Sequence, residues 1–173
     1  MELSKAIELI KPGLTPGEET IWADLGCGDG LFTNALAQTI GKGSTIYAVD
    51  SNMRALGKMP AIPHTHLEKL VADFERDELP LSGLDGILMA NSLHFVKDKI
   101  RFFKKAKSWL KITGYFLIVE YNTDTSNRWV PYPLSFATAE KLFTGLGFNV
   151  QKISEQASLY NRAGMYGARI SEQ

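Results

Sequence analysis

Ala23-Asp24-Leu25-Gly26-Cys27-Gly28-Asp29-Gly30-Leu31 decides how the rest of the chain is read. Thr20 to Leu25 is a short apolar run with β-branched and aromatic members, the composition of a buried strand. Leu31 to Ile40 has the spacing of an amphipathic helix. Three glycines at alternate positions join the two. Glycine lets the backbone take φ > 0 and come close to a ligand, and the first-turn N–H groups of a helix are free to donate. Such a turn at the carboxyl end of a parallel strand is where open α/β sheets bind ligands. The stretch reads as a nucleotide-type cradle.

The dinucleotide pattern G-x-G-x-x-G has its third glycine where the helix packs on the strand. Here Leu31 holds that position, and the last glycine comes one residue early, at Gly30. Asp24 also sits inside the cradle, where a carboxylate repels a pyrophosphate but can hold a cation such as an amino-acid ammonium. Asp24-Leu25-Gly26-Cys27-Gly28-Asp29-Gly30 resembles the first motif, E/D-x-G-x-G-x-G, of the class I S-adenosylmethionine-dependent methyltransferases, in their small-molecule, type 11/25-like form. It matches at every fixed position. The resemblance implies an α/β fold: a Rossmann-like, doubly wound sheet of seven strands, mostly parallel with the last strand antiparallel, and helices on both faces. It further implies S-adenosylmethionine as cofactor, S-adenosylhomocysteine as product, and Asp24, Gly26, Cys27, Gly28 and Gly30 as cofactor contacts.

The chain of 173 residues is read as one domain, with 1–15 as an N-terminal helix and cap and 16–173 as the Rossmann-like core. Its 45% hydrophobic and 22% charged residues are those of an ordinary soluble globular protein. The 19 Lys and Arg balance the 19 Asp and Glu, so nothing advertises long-range attraction to nucleic acid or an anionic membrane. No stretch reads as a transmembrane span or a cleavable signal. The single Cys27 excludes an intrachain disulfide framework and a multi-cysteine zinc site; no metal is expected, and a reducing, cytoplasmic setting is.

Along the chain, Met1 to Lys11 carries an apolar helical stripe closed by Pro12-Gly13. It reads as a packing helix, and the resemblance adds a cap over the cofactor. Gly41-Lys42-Gly43 ends the helix after the cradle. Thr45 to Val49 is the second strand and leads to Asp50, near the roughly 20-residue spacing at which an acid meets ribose hydroxyls. A carboxylate can accept two hydrogen bonds from a vicinal diol, and Asp50-Ser51-Asn52 is equally a helix N-cap. The resemblance places Ser51, Asn52 and Met53 beside the adenine. His66 to Ala72 is the third strand. Asp73 after it is either a turn former or, by resemblance, the acceptor for the adenine amino group with Phe74 beside it.

Asp85 to Asn91 reads as the fourth strand, and Asn91-Ser92-Leu93-His94-Phe95 is similar to the fourth methyltransferase motif in its small-molecule form. The resemblance gives Asn91 and Ser92 to the cofactor and points the methyl towards this edge. No Asn/Asp-Pro-Pro-aromatic motif stands here, and Cys27 lies in the cradle. Both features disfavour methylation of nucleic-acid bases. Asp98 to Leu110 reads as a basic amphipathic helix with a solvated face. Thr113-Gly114 is expected to turn into a fifth strand, Tyr115 to Val119. Asn122 to Pro133 is a long polar loop that the resemblance assigns to the acceptor pocket, through Arg128, Trp129 and Tyr132. Ser135 to Leu146 reads as a helix. Phe148 to Ser154 and Met165 to Ile170 are two strands joined by a connection containing Asn161 and Gly164.

Methyl transfer from a sulfonium needs alignment, exclusion of water and, for an acidic acceptor, removal of a proton. His94 is the candidate base because its unperturbed pKa lies near neutrality. It packs structurally in the alternative reading. Tyr121 and Glu120 are weaker candidates. The reading is thus a methyltransferase acting on a small or medium-sized acceptor. Its alternatives are a methyltransferase-like subunit that binds without turnover beside a partner or in a homo-oligomer, and an NAD(P)-dependent oxidoreductase. The missing third glycine and the acid in the cradle count against the oxidoreductase.

Overall fold

The computed structural model describes residues 1–157 and 164–172, so the Asn161 part of the last connection lies outside the described residues. Its strands are β1 (Ile21–Leu25), β2 (Thr45–Asp50), β3 (His66–Val71), β4 (Leu84–Ala90), β5 (Leu110–Tyr121), β6 (Phe148–Gln156) and β7 (Met165–Glu172). The helices are α1 (Leu3–Ile10), α2 (Leu31–Ala37), α3 (Met53–Lys58), α4 (Lys99–Lys107) and α5 (Phe136–Thr144). The seven strands form one sheet in the order β3-β2-β1-β4-β5-β7-β6. β7 inserts antiparallel between β5 and β6, as expected, while β1 to β5 run parallel.

The central strands are buried on both faces, as parallel strands under helices must be. One face packs on α4 and α5 through a cluster of aromatic rings. Phe103 lies 4.4 Å from Phe116 and 4.3 Å from Phe143, centroid to centroid. The other face is covered by α1 and α2 through Leu9, Ile10, Phe32 and Leu36. Trp22 lies across β4 opposite Gly86, where any Cβ would strike the indole ring. The same ring meets Tyr115 edge-on at 5.4 Å.

Three local expectations are corrected. The fifth strand begins at Leu110 rather than at Tyr115, so Thr113-Gly114 lies inside it. The irregularity expected there as a turn is a bulge of β5: Leu110 pairs with Leu84 and Tyr115 with Gly86, so residues 111–114 stand against Asp85 alone. The helix after the cradle stops at Ala37, before Gly41-Lys42-Gly43, because Gln38 already serves as its C-cap. The fourth helix is likewise shorter, ending at Lys107. α1 is a packing helix: Ala6, Leu9 and Ile10 are buried against α2 and the sheet, and none of its residues lines the cleft described below. Among the described residues no helix is long and apolar enough to cross a membrane.

Candidate functional site

β1 is flanked by β2 on one side and β4 on the other, so the strand order reverses between β1 and β4 while the strands stay parallel. That crevice is the ligand position of open parallel sheets. Gly26, Gly28 and Gly30 have φ of +78°, +57° and +93°, a left-handed path that a side chain resists. At Gly26 the approach is also close. A Cβ there would stand 2.5 Å from that of Ser92, whose hydroxyl donates to the Leu25 carbonyl at 2.6 Å and ties β4 to β1. Around Gly28 there is open space.

The turn is anchored from β2. The N–H groups of Gly26 and Cys27 both donate to the Val49 carbonyl, at 2.7 and 3.1 Å. Asp50 then accepts the Gly28 N–H on Oδ2 and the Asn52 N–H on Oδ1, each at 2.8 Å. Two ionised oxygens offer about four lone-pair sites, so acceptor capacity remains. The helix N-cap is Asn52 rather than Asp50, since its side chain accepts from Arg54 and Ala55.

Asp24 lies buried beneath the turn. Its Oδ2 accepts the Thr33 hydroxyl at 2.6 Å, and its Oδ1 has no partner. Burial lifts its pKa to about 7, opposed by the Thr33 bond and assisted by the nearby Asp50 charge. Cys27 is buried with Ala48, Leu56 and Met59, and burial together with Asp24 and Asp50 pushes its thiol pKa upward. Its side chain packs beneath the turn, with the thiol disfavoured from ionising.

Gly26, Asp50, Ser51, Asp73, Phe74, Asn91 and Ser92 line one cleft of about 310 Å³. Ala72, Glu75, Arg76 and Phe95 share its wall and were not singled out from the sequence. Phe95 had a signal, an aromatic next to the candidate base; the other three had none. Met53 is 68% exposed and Val71, paired with Asp50 in register, 52% exposed. Asp73 is a turn former: its Oδ1 accepts from Glu75 and Arg76, and its N–H donates to Asp77. Asn91 closes β4 at φ +54° with its Oδ1 buried and unpartnered.

His94 lies behind this wall, only 3% exposed. Glu120, at the end of β5, grips it twice: Oε1 accepts the His94 N–H at 3.1 Å and Oε2 stands 2.7 Å from Nδ1. The imidazole packs 4.4 Å from the Phe95 ring and 6.3 Å from that of Tyr121. The long loop meets this group through Tyr132, whose N–H donates to the His94 carbonyl at 3.0 Å and whose carbonyl accepts Lys99 Nζ at 2.8 Å. Arg128 and Trp129 are not brought to the cleft. The Asn127–Val130 turn holds Trp129 outward, 77% exposed, with Arg128 over its ring.

Residues 23–118 match a family model described as a methyltransferase domain. No curated protein matches the chain in sequence. Among solved structures, it is similar to a SAM-dependent methyltransferase from Aquifex aeolicus, with 18% identity, 98% of each chain covered and a TM-score of 0.68. A putative S-adenosylmethionine-dependent methyltransferase from Listeria monocytogenes is similar at 18% identity, with 99% of this chain and 96% of that one covered and a TM-score of 0.69. An arsenic(III) S-adenosylmethionine methyltransferase from Chlamydomonas reinhardtii matches at 15% identity, over 91% of this chain and 64% of that one, with a TM-score of 0.70. At these identities the structural likeness is one of fold.

Proposed function

This chain belongs to the methyltransferase domain family, and from that premise we propose that it moves a methyl group from S-adenosylmethionine to a small or medium-sized acceptor by in-line displacement. The observation that carries the reading is the unpartnered, buried Asp24 Oδ1 beneath the glycine turn. A buried oxygen without a donor is costly, and an ammonium supplies both the donor and the opposite charge. The amino-acid end of S-adenosylmethionine carries such a group. One turn away, Asp50 keeps lone pairs for the ribose diol. Exposed Met53 and Val71 and the half-buried Phe74 give the adenine apolar surface to cover. The residues present therefore fit this cofactor.

When bound, S-adenosylmethionine supplies a methyl on a sulfonium sulfur, a leaving group that departs as a neutral thioether. The chain's own part is to hold the donor at Asp24 and Asp50, to keep water out with Phe74 and Phe95, and to receive the acceptor on the Asn91 to Phe95 side. His94 is the base on that side. A free metabolite is the partner class that fits a chain with no net charge.

Calorimetric titration with S-adenosylhomocysteine, and with NADH as control, tests the reading. Micromolar binding of the first, lost in Asp50→Ala at unchanged folding, is the expected result. Binding of NADH alone overturns it, and binding of neither leaves a fold without a cofactor site.

A further inference from the structure

From the His94–Glu120 geometry we infer that Glu120 is a positioning residue, which holds His94 as the Nδ1–H tautomer and leaves Nε2 as the proton acceptor for the methyl-accepting group. This rests on the proposed methyl transfer. The carboxylate is acceptor-only, and its two oxygens face the His94 backbone N–H and Nδ1, so both bonds require a hydrogen on the histidine side. Fixing the proton on Nδ1 fixes the lone pair on Nε2. Nε2 makes no hydrogen bond among the described residues. It is also not one of the buried unpartnered atoms, which are Asp24 Oδ1 and Asn91 Oδ1, so the small exposed part of the ring includes this nitrogen.

The surroundings hold the pair still. Glu120 is buried and lies opposite Tyr166 of β7, whose hydroxyl donates to the Leu134 carbonyl. Lys99 of α4 donates to the carbonyls of Val96 and Tyr132 and so ties the loop to α4 beside the pair. Tyr121 of β5 and Phe95 pack on the imidazole, and Tyr132 of the loop bonds the His94 carbonyl. Glu120 is the carboxylate in contact with the ring. It therefore fixes the orientation of the imidazole and the side of the ring that carries the hydrogen.

A base held in this way serves acceptors that must shed a proton, hydroxyls above all. The acceptor's O–H proton passes to Nε2 as an oxygen electron pair forms the bond to the methyl carbon, and the carbon–sulfur pair stays on sulfur. The imidazolium so formed keeps its Nδ1–H on the Glu120 carboxylate. Thiolates and other soft acceptors, already unprotonated, would gain nothing from the pair.

The chain has three histidines, and His64 and His66 are exposed, so nitrogen NMR of 15N-histidine-labelled protein separates His94 without an acceptor. The expected result is a neutral His94 protonated on Nδ1, with the tautomer balance moved towards Nε2–H in Glu120→Gln, whose amide can donate to Nδ1. S-adenosylhomocysteine binding should be equal in the two proteins. A wild-type His94 protonated on Nε2 overturns the inference, and that measurement needs no variant to fold. An unchanged tautomer balance in folded Glu120→Gln overturns it as well. Loss of S-adenosylhomocysteine binding by wild-type protein would instead reject the cofactor reading, leaving the tautomer result standing.

Discussion

Asp24 Oδ2 accepts the Thr33 hydroxyl at 2.6 Å, while the other oxygen of the same buried carboxylate has no partner. The half-satisfied group is a local cost in the cofactor-free protein, and it makes stability depend on pH. Its pKa is raised from 3.8 to about 7, chiefly by burial, so the folded chain holds a proton that the unfolded chain releases. The stability associated with that proton is complete below the unfolded value and is lost as pH rises to about 7. Asp24→Asn keeps an acceptor for Thr33 and removes the titration. The stability of the variant relative to wild type should grow by about 1.4 kcal/mol per pH unit between pH 5 and 7, then level off. Urea unfolding of both proteins at several pH values measures this, and a constant difference would reject the burial argument.

The same carboxylate must be ionised to receive an ammonium. S-adenosylhomocysteine should therefore bind wild-type protein more tightly as pH rises through about 7, and the slope should vanish in Asp24→Asn. Affinity should fall about tenfold or more in the variant at pH 8, the loss of one charge-assisted contact in a buried site. Equal affinities would show that the amino-acid end is held elsewhere.

Two glycines of the turn separate stability from binding. Gly26 and Gly28 both have positive φ, but a Cβ at Gly26 meets Ser92 and one at Gly28 meets open space. Gly26→Ala should cost about 2–4 kcal/mol, because left-handed strain adds to displacement of the Ser92 to Leu25 bond. Gly28→Ala should cost only about 1–2 kcal/mol, the strain alone. Its added methyl projects where the cofactor is proposed to lie, so binding of S-adenosylhomocysteine should suffer more than stability does. Chemical unfolding and calorimetry on the pair would decide; equal losses of stability would contradict the packing difference.

What could be read from the sequence follows how local each constraint is. The spacing of Gly26, Gly28 and Gly30 needs only neighbouring residues to declare itself, and the end of β1 at Leu25 follows from it. The start of β5 did not declare itself, since Thr113-Gly114 has turn composition and only the pairing of Leu110 with Leu84, ahead of the bulge, carries the strand past it. Asp73 forms its turn with bonds to Glu75 and Arg76 and lines the cleft as well, a position that composition alone did not give. Glu120 was visible as an acid at a strand end. Its bond to His94 depends on the register that sets Ala90 beside Val119, a non-local fact. In the loop, Tyr132 and Trp129 look alike in sequence, and the Asn127 turn sends Trp129 outward.

Lys99 is the buried cation that joins this loop to the rest. Its Nζ donates to Val96 and Tyr132 carbonyls at 2.9 and 2.8 Å, and burial lowers its pKa against the pull of Glu120 and Glu75. Lys99→Met preserves most of the volume and removes both donors, leaving two carbonyls short of a partner. The expected loss is about 1–3 kcal/mol in urea unfolding, the cost of unsatisfied buried acceptors. The effect should also be directional. The Tyr132 N–H, bonded to the His94 carbonyl, should exchange with deuterium faster in the variant, while amides in β1 and β2 should follow only the change in global stability. Lys104→Met, on the exposed face of α4, serves as the control for removing a charge. If Tyr132 exchanges at the same rate in Lys99→Met as in that control, the ammonium does not restrain the loop, and packing of Val130 and Leu134 does so alone.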